Sequence, residues 1–387
     1  MGRILLVDTN RGAYPIHQAL HQKGHEVWVV GAKPEEPLAK LSPHYVQLDY
    51  SDSAKLSTFV EEKGFESIVP GCTDLSYKVC AEINNGRFPG IDILENVHKI
   101  NQKHMFRRVA RALGLHVPQE LSVDDALNFE SVIVKPVDSF SGHGVRVIHK
   151  PDLSTIESAL VAARANSGSG QALIEEFVSG QLYSHSAFLG EGEILTDFFV
   201  REGCSNNPFA VDVSCLDENI PLHAKKVLRG QIEQLAKALN LVNGLVHTQF
   251  ISQNKQIRII EVTRRCPGDI YPVLIHLSTG YPYAASYIAP FLGSNVVDSL
   301  GNCNKSSHII RHTVTVPDGA SLWGLQFHRP VCIRLWVPLA TAGDFLFRGL
   351  QSGPARRAAI IFFRSESEAE HEVLYDELLA GTLYSFE

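Results

Sequence analysis

The chain has 387 residues, of which 44% are hydrophobic and 20% are charged, and its formal net charge is −7. This composition is typical of a globular protein, and the length allows two or three domains. The mild acidity gives no electrostatic basis for binding nucleic acid or an anionic membrane. No apolar run is long enough to span a bilayer, and the apolar start Met1–Val7 is too short for a signal-peptide core.

The seven cysteines are dispersed and show no CxxC spacing. An odd, scattered set is typical of reduced thiols, so we expect a cytoplasmic protein without a disulfide framework. The 17 histidines form no HExxH motif and no paired metal-binding spacing.

Strand and helix signals alternate over the first hundred residues. Buried apolar runs predict strands, and polar segments that end at glycine predict helices. The predicted strands are Ile4–Val7, Glu26–Gly31, Tyr45–Tyr50 and Ser67–Gly71, and the predicted helices are Pro15–Lys23 and Asp52–Lys63. This alternation predicts a parallel sheet flanked by helices.

The rest of the chain shows a different order of predicted helices and strands. Helices are predicted at Asn101–Leu113, at Leu153–Ala165 and after Pro221, with strands at 132–136, 145–148, 172–178, 245–251 and 257–262. The last ninety residues contain β-rich runs at 309–316, 331–337 and 358–363. A final helix is expected after Ser365, which is spaced from Glu368 as in a capping box.

A glycine-rich loop, residues 135–145 (KPVDSFSGHGV), carries the most informative local pattern. Its small residues allow backbone N–H groups to approach phosphate oxygens, and Lys135 at its entrance could add an ammonium group. A predicted strand follows the loop, which excludes the Walker A motif and the dinucleotide fingerprint, since both precede a helix. Without further partners, the same loop would be interpreted as a flexible hairpin turn.

A second pattern lies on two strands joined by a polar turn. Gln249, Glu261 and Thr263 are expected on one face, because alternate residues of a strand share a face. Three such oxygen-bearing side chains suit a hard cation such as Mg²⁺. Arg264 and Arg265 follow, and one of them could hold a phosphoryl group through a bidentate contact. The alternative is a surface hairpin with an exposed Glu–Arg ion pair.

Taken together and in order, the segments from Asn101 to Gly268 resemble the ATP-grasp superfamily, and within it biotin carboxylases, carbamoyl phosphate synthetases and L-amino acid ligases. The resemblance implies an α/β fold (α+β overall). It divides the chain into a Rossmann-like domain (1–98), two ATP-grasp subdomains (99–178 and 179–295) and a β-rich C-terminal part (296–387).

The resemblance also implies the nucleotide site. Lys103 and Lys135 match the two phosphate-binding lysines, and the loop matches the mobile flap over the phosphates. The hinge segment around Glu175 matches the strand that contacts adenine, with the backbones of Glu176 and Val178 as its hydrogen-bonding groups and Glu175 beside the amino group. The implied nucleotide-binding residues are Lys103, Lys135, Ser139, Ser141, Gly142, His143, Gly144, Glu175, Glu176, Phe177 and Val178.

The run from Glu261 to Gly268 matches the family pattern Glu-x-Asn-x-Arg-x-x-Gly. The implied metal ligands are Gln249, Glu261 and Thr263, and the implied catalytic residues are Arg265 and Lys135. The sequence departs from the pattern in three places. Gln249 replaces a usual Glu, as in carbamoyl phosphate synthetases, Thr263 replaces the usual Asn, and Leu182 stands where many relatives carry a ribose-contacting Glu.

The implied activity is an ATP-dependent ligase that uses Mg²⁺ or Mn²⁺ and joins a small-molecule carboxylate to an amine or thiol through an acyl phosphate. The acceptor could be an amino acid or a sugar carboxylate, and a homodimer is left open. Candidate substrate residues are Arg264, Arg265, Gly268, Arg311 and His312, and loop residues after N-terminal strands are Thr9, Asn10, Arg11, Thr73 and Asp74. Two alternatives stay open: a carboxylase-type enzyme that phosphorylates bicarbonate, and a catalytically weak nucleotide-binding protein.

Overall fold

Helices and strands alternate along the chain in a computed structural model that describes residues 2–138, 142–254, 256–296, 307–316, 322–340 and 357–386. The helices are α1 (Tyr14–Gln22), α2 (Pro37–Leu41), α3 (Ser53–Lys63), α4 (Asp74–Asn84), α5 (Leu94–Asn101), α6 (Lys103–Ala112), α7 (Val123–Ala126), α8 (Leu153–Ala165), α9 (Leu222–Ala238), α10 (Tyr271–Thr279), α11 (Tyr283–Ile288) and α12 (Glu368–Ala380). The strands are β1 (Arg3–Val7), β2 (Glu26–Gly31), β3 (Tyr45–Gln47), β4 (Ser67–Pro70), β5 (Glu120–Leu121), β6 (Ser131–Pro136), β7 (Arg146–His149), β8 (Ala172–Glu176), β9 (Gln181–Gly190), β10 (Glu193–Gly203), β11 (Val213–Leu216), β12 (Gly244–Gln253), β13 (Gln256–Thr263), β14 (His308–Thr315), β15 (Leu325–Phe327), β16 (Cys332–Pro338), β17 (Arg357–Ser365) and β18 (Tyr384–Phe386). Among the described residues, no helix is both long and apolar enough to cross a membrane.

The first four strands form a parallel sheet in the order β3-β2-β1-β4. Strand β4 is buried along its whole length, as expected where both faces of a parallel sheet are covered. Helix α3 begins after Asp52, whose side chain accepts the Lys55 N–H, and ends at Gly64 in the left-handed conformation. The predicted parallel sheet is confirmed, although its third strand ends at Gln47 rather than Tyr50.

A smaller antiparallel sheet has the order β5-β8-β6-β7 and packs against α8. Strands β6 and β7 are the two sides of the glycine-rich loop. The strand after this loop is therefore confirmed. The predicted hinge segment around Glu175 includes the end of β8, and this strand ends at Glu176 rather than at residue 178.

The largest sheet is antiparallel and has eight strands in the order β13-β12-β9-β10-β11-β14-β17-β16. Its core is built on α9, whose Leu228, Ile232 and Leu235 are fully buried, as the predicted amphipathic stripe requires. The long strands β9 and β10 were not anticipated from the sequence.

The opposite face of this sheet carries a row of polar side chains. Residues that lie directly opposite each other in antiparallel strands share a face. Glu261 on β13 lies opposite Gln249 on β12, which lies opposite Ser184 on β9. Glu202 on β10 lies opposite Ser214 on β11, which lies opposite Arg311 on β14. Ser184 lies opposite Val200, two residues before Glu202, so both halves of the row belong to one face.

Two predicted elements need correction. The helix expected at Asn101–Leu113 is interrupted at Gln102, which is extended, so that α5 ends at Asn101 and α6 begins at Lys103. The predicted capping box at Ser365 and Glu368 is wrong, because Ser365 is still paired with β14 at the end of β17. The side chain of Ser367 caps α12 instead.

Candidate active site

Gln249 and Glu261 form an oxygen-rich pair at the end of the polar row. They lie directly opposite each other on β12 and β13, and both are partly exposed, so the predicted common face is confirmed. In the described part of the chain no group of three or more His, Cys, Asp and Glu could hold a metal. The pair nevertheless fits Mg²⁺, which typically takes one or two carboxylates and completes its shell with substrate phosphates and water.

Asp74, the first residue of α4, connects two of the predicted site residues. Its Oδ1 accepts a hydrogen bond from the Thr263 hydroxyl at 3.1 Å and another from Arg265 Nε at 2.9 Å. Burial acts to raise the pKa of Asp74, but Arg265 and Thr263 outweigh it and the pKa is lowered. The Thr263 hydroxyl proton is thus committed to Asp74, and its role as a metal ligand stays a prediction.

A buried ion cluster lies where α6, β6 and β8 meet. Glu175 Oε2 is 2.5 Å from Lys135 Nζ, and Glu175 Oε1 is 2.6 Å from Arg107 Nε. Burial would raise the pKa of Glu175, but the two cations lower it, while burial lowers the pKa of Lys135. Glu175 is therefore the shared counter-ion of a predicted phosphate lysine. Arg107 was not singled out from the sequence, because nothing in the helix pattern distinguishes it from the neighbouring arginines.

Arg311 is fully buried, and its contacts continue the polar row. Its Nη2 donates to Ser214 Oγ at 2.7 Å, and its Nη1 lies 3.1 Å from Asp269 Oδ2. Glu202 belongs to the same group of charges: burial, reinforced by Asp269, raises its pKa to about 7. Asp269 thus pairs with Arg311, and the charge of Arg311 also acts on Glu202. Sequence reasoning missed both carboxylates, because Glu202 comes near Arg311 only through the pairing of β10, β11 and β14, and Asp269 only through the tertiary fold.

His312 lies on the opposite face of the sheet from Arg311, as neighbouring residues of a strand must. Its Nδ1 lies 3.2 Å from the Asp212 carbonyl oxygen and its Nε2 lies 2.7 Å from the Tyr384 hydroxyl. Burial lowers its pKa to about 4. The structure therefore separates Arg311 and His312, which the sequence had grouped as substrate residues.

His247 lies opposite Thr263 and was also missed. Its Nδ1 is 2.9 Å from Ser186 Oγ, which in turn is 2.9 Å from the Tyr283 hydroxyl. Burial lowers the pKa of His247 to about 3, so the ring is neutral at neutral pH. A neutral, hydrogen-bonded layer therefore supports the site beside Arg265.

The described part of the glycine-rich loop adopts the backbone that its composition predicts. Gly142 and Gly144 both have φ of +72°, in the left-handed region that favours glycine. A Cβ atom on Gly142 would lie 2.4 Å from Cβ of Phe209, so the loop tip packs closely against the connection between β10 and β11. His143 lies between the two glycines, whereas Ser139 and Ser141 lie outside the described residues.

Comparison with known families agrees with this geometry: residues 128–272, from before β6 to the start of α10, match the family model described as the ATP-grasp domain. Residues 128–272 are thus similar to an ATP-grasp domain. The C-terminal section of the carbamoyl phosphate synthase large chain from Aquifex aeolicus is 22% identical over 300 residues, which cover 69% of this chain and 51% of that protein. The chain thus spans about half the length of this curated relative.

Solved structures share the ATP-grasp fold over the whole chain. An L-amino acid ligase from Bacillus licheniformis is similar with a TM-score of 0.73 and 16% identity, covering 100% of this chain and 99% of that one. The biotin carboxylase domain dimer of 2-oxoglutarate carboxylase from Hydrogenobacter thermophilus, in complex with MgADP, ADP and bicarbonate, is similar with a TM-score of 0.75 and 14% identity. It covers 100% of this chain and 90% of that one. At these identities the likeness concerns the fold.

The predicted hinge segment, residues 173–178, overlaps β8 and continues for two residues beyond it. The Glu176 N–H donates to the Gln119 carbonyl, and the Gln119 N–H donates to the Glu176 side chain at 3.0 Å. The Phe177 N–H donates to Ser131, while its ring is partly exposed. The Glu176 N–H is therefore occupied, which leaves its carbonyl and the backbone of Val178 as the groups for the predicted adenine contact.

Lys103 begins α6 near the other cations of the ATP-grasp domain. Its positive charge helps to lower the pKa of Lys135, on which burial has the largest effect. It also helps to lower the pKa of Asp74, on which burial and Arg265 have larger effects. Both predicted phosphate lysines thus lie within electrostatic range of each other. Two closely placed cations favour the binding of a polyanion such as a triphosphate.

Arg264 and Gly268 lie at the contact between the ATP-grasp domain and the N-terminal sheet. Arg264 is 3% exposed and donates to Asp92 at 2.6 Å and to the carbonyls of Val242 and Leu245 at 2.6 and 2.7 Å. Each of its nitrogens therefore has a protein acceptor, which indicates a structural link rather than substrate binding. Gly268 is exposed, and its carbonyl is so close to Gly12 that a Cβ there would lie 2.4 Å away.

Proposed function

We propose that this protein is an ATP-dependent ligase that activates a small carboxylate as an acyl phosphate and then joins it to an amine or a thiol. The observation that carries the proposal is the arrangement around the ATP-grasp domain. Buried Lys135 pairs with Glu175, which Arg107 links to the Ile260 carbonyl on β13, and β13 also carries Glu261 opposite Gln249, with Arg265 just after its end. A site with these groups suits phosphoryl transfer, in which the protein mainly positions and neutralises charge.

Each residue has a separate task in this proposal. Lys103 and Lys135 hold the nucleotide phosphates, while Gln249 and Glu261 hold Mg²⁺ or Mn²⁺. When bound, the metal neutralises negative charge on the phosphates. Arg265 faces the charge that develops on the transferred phosphoryl group. The flap around Gly142, His143 and Gly144 excludes water, which would hydrolyse an acyl phosphate.

The chemistry balances over two steps. A substrate carboxylate oxygen forms a bond to the γ-phosphorus of ATP, and the bond to ADP breaks. The amine nitrogen then bonds to the acyl carbon. The bond between this carbon and the phosphate oxygen breaks, phosphate leaves with the electron pair of that bond, and the nitrogen loses a proton. The activation is needed because a carboxylate is a poor electrophile and phosphate a good leaving group.

The proposed acceptor region is the polar row beyond the metal pair. Arg311 and Gly268 are the proposed substrate residues, with Arg311 suited to a carboxylate. Arg264 and His312 are left out because their contacts face the protein. An amino acid or a sugar carboxylate would match this chemistry, and the domain limits 1–98, 99–178, 179–295 and 296–387 are part of the same proposal.

A second candidate is phosphorylation of bicarbonate. Gln249 favours it, because it replaces a usual Glu as in the carbamoyl phosphate synthetases that the sequence resembles, and because a section of one of these proteins is the curated relative. The similar biotin carboxylase domain from Hydrogenobacter thermophilus was solved in complex with bicarbonate. Bicarbonate-dependent ADP release without any amine would favour this reaction over the ligase.

The test is a phosphate-release screen that pairs carboxylates with amines and thiols, followed by mass detection of the condensed product. The ligase predicts release only when both substrates are present, together with a product that has lost one water. Binding of ATP without any ADP formation across the panel would instead support a nucleotide-binding protein. Glu261→Ala is the control, and full ADP production by this variant would contradict the metal assignment.

A further inference from the structure

The buried ion cluster where α6, β6 and β8 meet carries more positive than negative charge. Arg107, Lys135 and Glu175 are 0%, 6% and 1% exposed, and Glu175 is the carboxylate that contacts both cations. A buried charge without a partner is costly, so the cluster is most stable when an anion approaches one of the two cations. To contact such an anion, one of the two cations has to leave Glu175.

Arg107 is held by three elements. It lies in the middle of α6, its Nε donates to Glu175 on β8 at 2.6 Å, and its Nη2 donates to the Ile260 carbonyl on β13 at 2.8 Å. A planar guanidinium fixed at two acceptors loses both bonds if it turns. Arg107 is therefore the stationary partner of Glu175.

Lys135 is held less firmly. Its ammonium group contacts Glu175 at 2.5 Å, and it lies near the end of β6, directly before the glycine-rich loop. Lysine has a flexible four-carbon stem with a point charge at its end, so a change of rotamer can move the charge by several ångströms. Lys135 is thus the cation that can exchange Glu175 for a phosphate oxygen.

We propose that Arg107 is a positioning residue for the nucleotide, which keeps Glu175 neutralised while Lys135 turns from Glu175 to a nucleotide phosphate. Without Arg107, the same movement leaves a bare carboxylate in the protein interior, and Lys135 remains bound to it. The proposal rests on the proposed nucleotide binding at this site. It assigns Arg107 an effect that acts through Glu175 and not through contact with the nucleotide.

Two other roles for Arg107 give different results. As a purely structural link between α6 and β13, it would act through the Ile260 carbonyl and would not depend on Glu175. As a direct ligand, it would use its buried Nη1, which has no hydrogen-bond partner among the described residues. In both cases, removal of the Glu175 charge would not compensate for the loss of Arg107.

The experiment measures the dissociation constant of MgADP by isothermal titration calorimetry for the whole chain and four variants: Arg107→Gln, Glu175→Gln, the double variant of these two, and Lys135→Gln. We expect Arg107→Gln to weaken binding by about tenfold or more, the range of one lost charge-assisted hydrogen bond. The double variant should recover to within about threefold of the unchanged protein, because Lys135 is then released from Glu175. A double variant as weak as Arg107→Gln overturns the proposal.

Arg111→Gln is the matched control, since Arg111 lies one turn later on α6 and contacts Glu120 at an exposed site, 3.3 Å away. Its affinity for MgADP should equal that of the unchanged protein. A second probe, inorganic tripolyphosphate, is titrated into the unchanged protein and into Glu175→Gln only. Glu175→Gln should bind it more tightly, because Lys135 has lost the carboxylate that competes with the phosphate. Unchanged or weaker binding overturns the proposal even where Arg107→Gln does not fold.

The proposed function and this inference fail in different ways. If the unchanged protein does not bind MgADP, or if Lys135→Gln binds it equally well, nucleotide binding through this lysine is refuted. If Lys135→Gln binds weakly and the double variant shows no recovery, the function stands and the role of Arg107 is refuted.

Discussion

Thr263 donates a hydrogen bond to Asp74 at 3.1 Å, although the two residues lie 189 positions apart in the chain. The same carboxylate oxygen pairs with Arg265 at 2.9 Å. Thr263, which stands where the matched pattern has an asparagine, is therefore linked to Arg265, the proposed catalytic arginine, through a carboxylate at the start of α4. This link indicates that Thr263 orients Arg265 through Asp74.

Thr263→Val tests this arrangement, because valine keeps the shape and removes the hydroxyl. We expect kcat to fall by about tenfold through the loss of one hydrogen bond to a charged group. The Mg²⁺ concentration for half-maximal activity should stay within about twofold, since the hydroxyl orients Asp74. Asp74→Asn should likewise lower kcat and leave the Mg²⁺ concentration for half-maximal activity within about twofold. A several-fold rise in the Mg²⁺ requirement of Thr263→Val would show instead that the hydroxyl is a metal ligand.

Gln249→Glu tests whether residue 249 contacts the metal. A carboxylate binds a hard cation more strongly than an amide oxygen does. We therefore expect the Mg²⁺ concentration for half-maximal activity to fall several-fold, measured by titrating Mg²⁺ at saturating ATP. An unchanged requirement would mean that residue 249 does not contact the metal.

Arg264→Met should cost about 3–5 kcal/mol in the free energy of unfolding, because it leaves Asp92 as a buried carboxylate without its cation. Urea unfolding measures this loss. The double variant Arg264→Met with Asp92→Asn should be more stable than Arg264→Met alone, since the uncompensated charge is gone. Equal stabilities of the single and double variants would refute this account of the buried pair.

Glu202 makes stability depend on pH. Its pKa is about 7 in the folded chain against an ordinary value of 4.5, so its stabilising contribution is complete below pH 4.5 and is lost as pH rises through about 7. The gap between these values corresponds to about 3 kcal/mol at most. Relative to the unchanged protein, Glu202→Gln should therefore gain stability between pH 5 and pH 8, measured by urea unfolding. A parallel pH dependence of the two proteins would contradict the prediction.

The common face of Gln249 and Glu261 and the backbone of the glycine-rich loop were predictable, because each is local or rests on strand alternation. Gln249 and Glu261 belong to one hairpin, and the left-handed Gly142 and Gly144 follow from composition alone. The role of Glu202 was not predictable in this way, because it depends on pairing β10 with β11 and β11 with β14, across 109 positions from Glu202 to Arg311.

The same distinction applies to the candidate substrate residues. Arg264 and Arg265 are neighbours with the same side chain, and only the tertiary structure shows that one pairs with buried Asp92 and the other with Asp74. The sequence likewise offers no sign that Glu175 is shared by Arg107 and Lys135, since the three lie on separate elements. The long-range partners of charged residues are thus the part that requires the structure.

The most direct test of the proposed ligase is ADP formation with a carboxylate and an amine, each also supplied alone, in the unchanged protein and in Glu261→Ala. Mass spectrometry of the same reactions identifies the condensed product. We predict ADP formation that needs both substrates, a condensed product in equal amount, and a loss of about a hundredfold or more in Glu261→Ala. ADP formation that is independent of the amine, or undiminished in Glu261→Ala, would contradict this account.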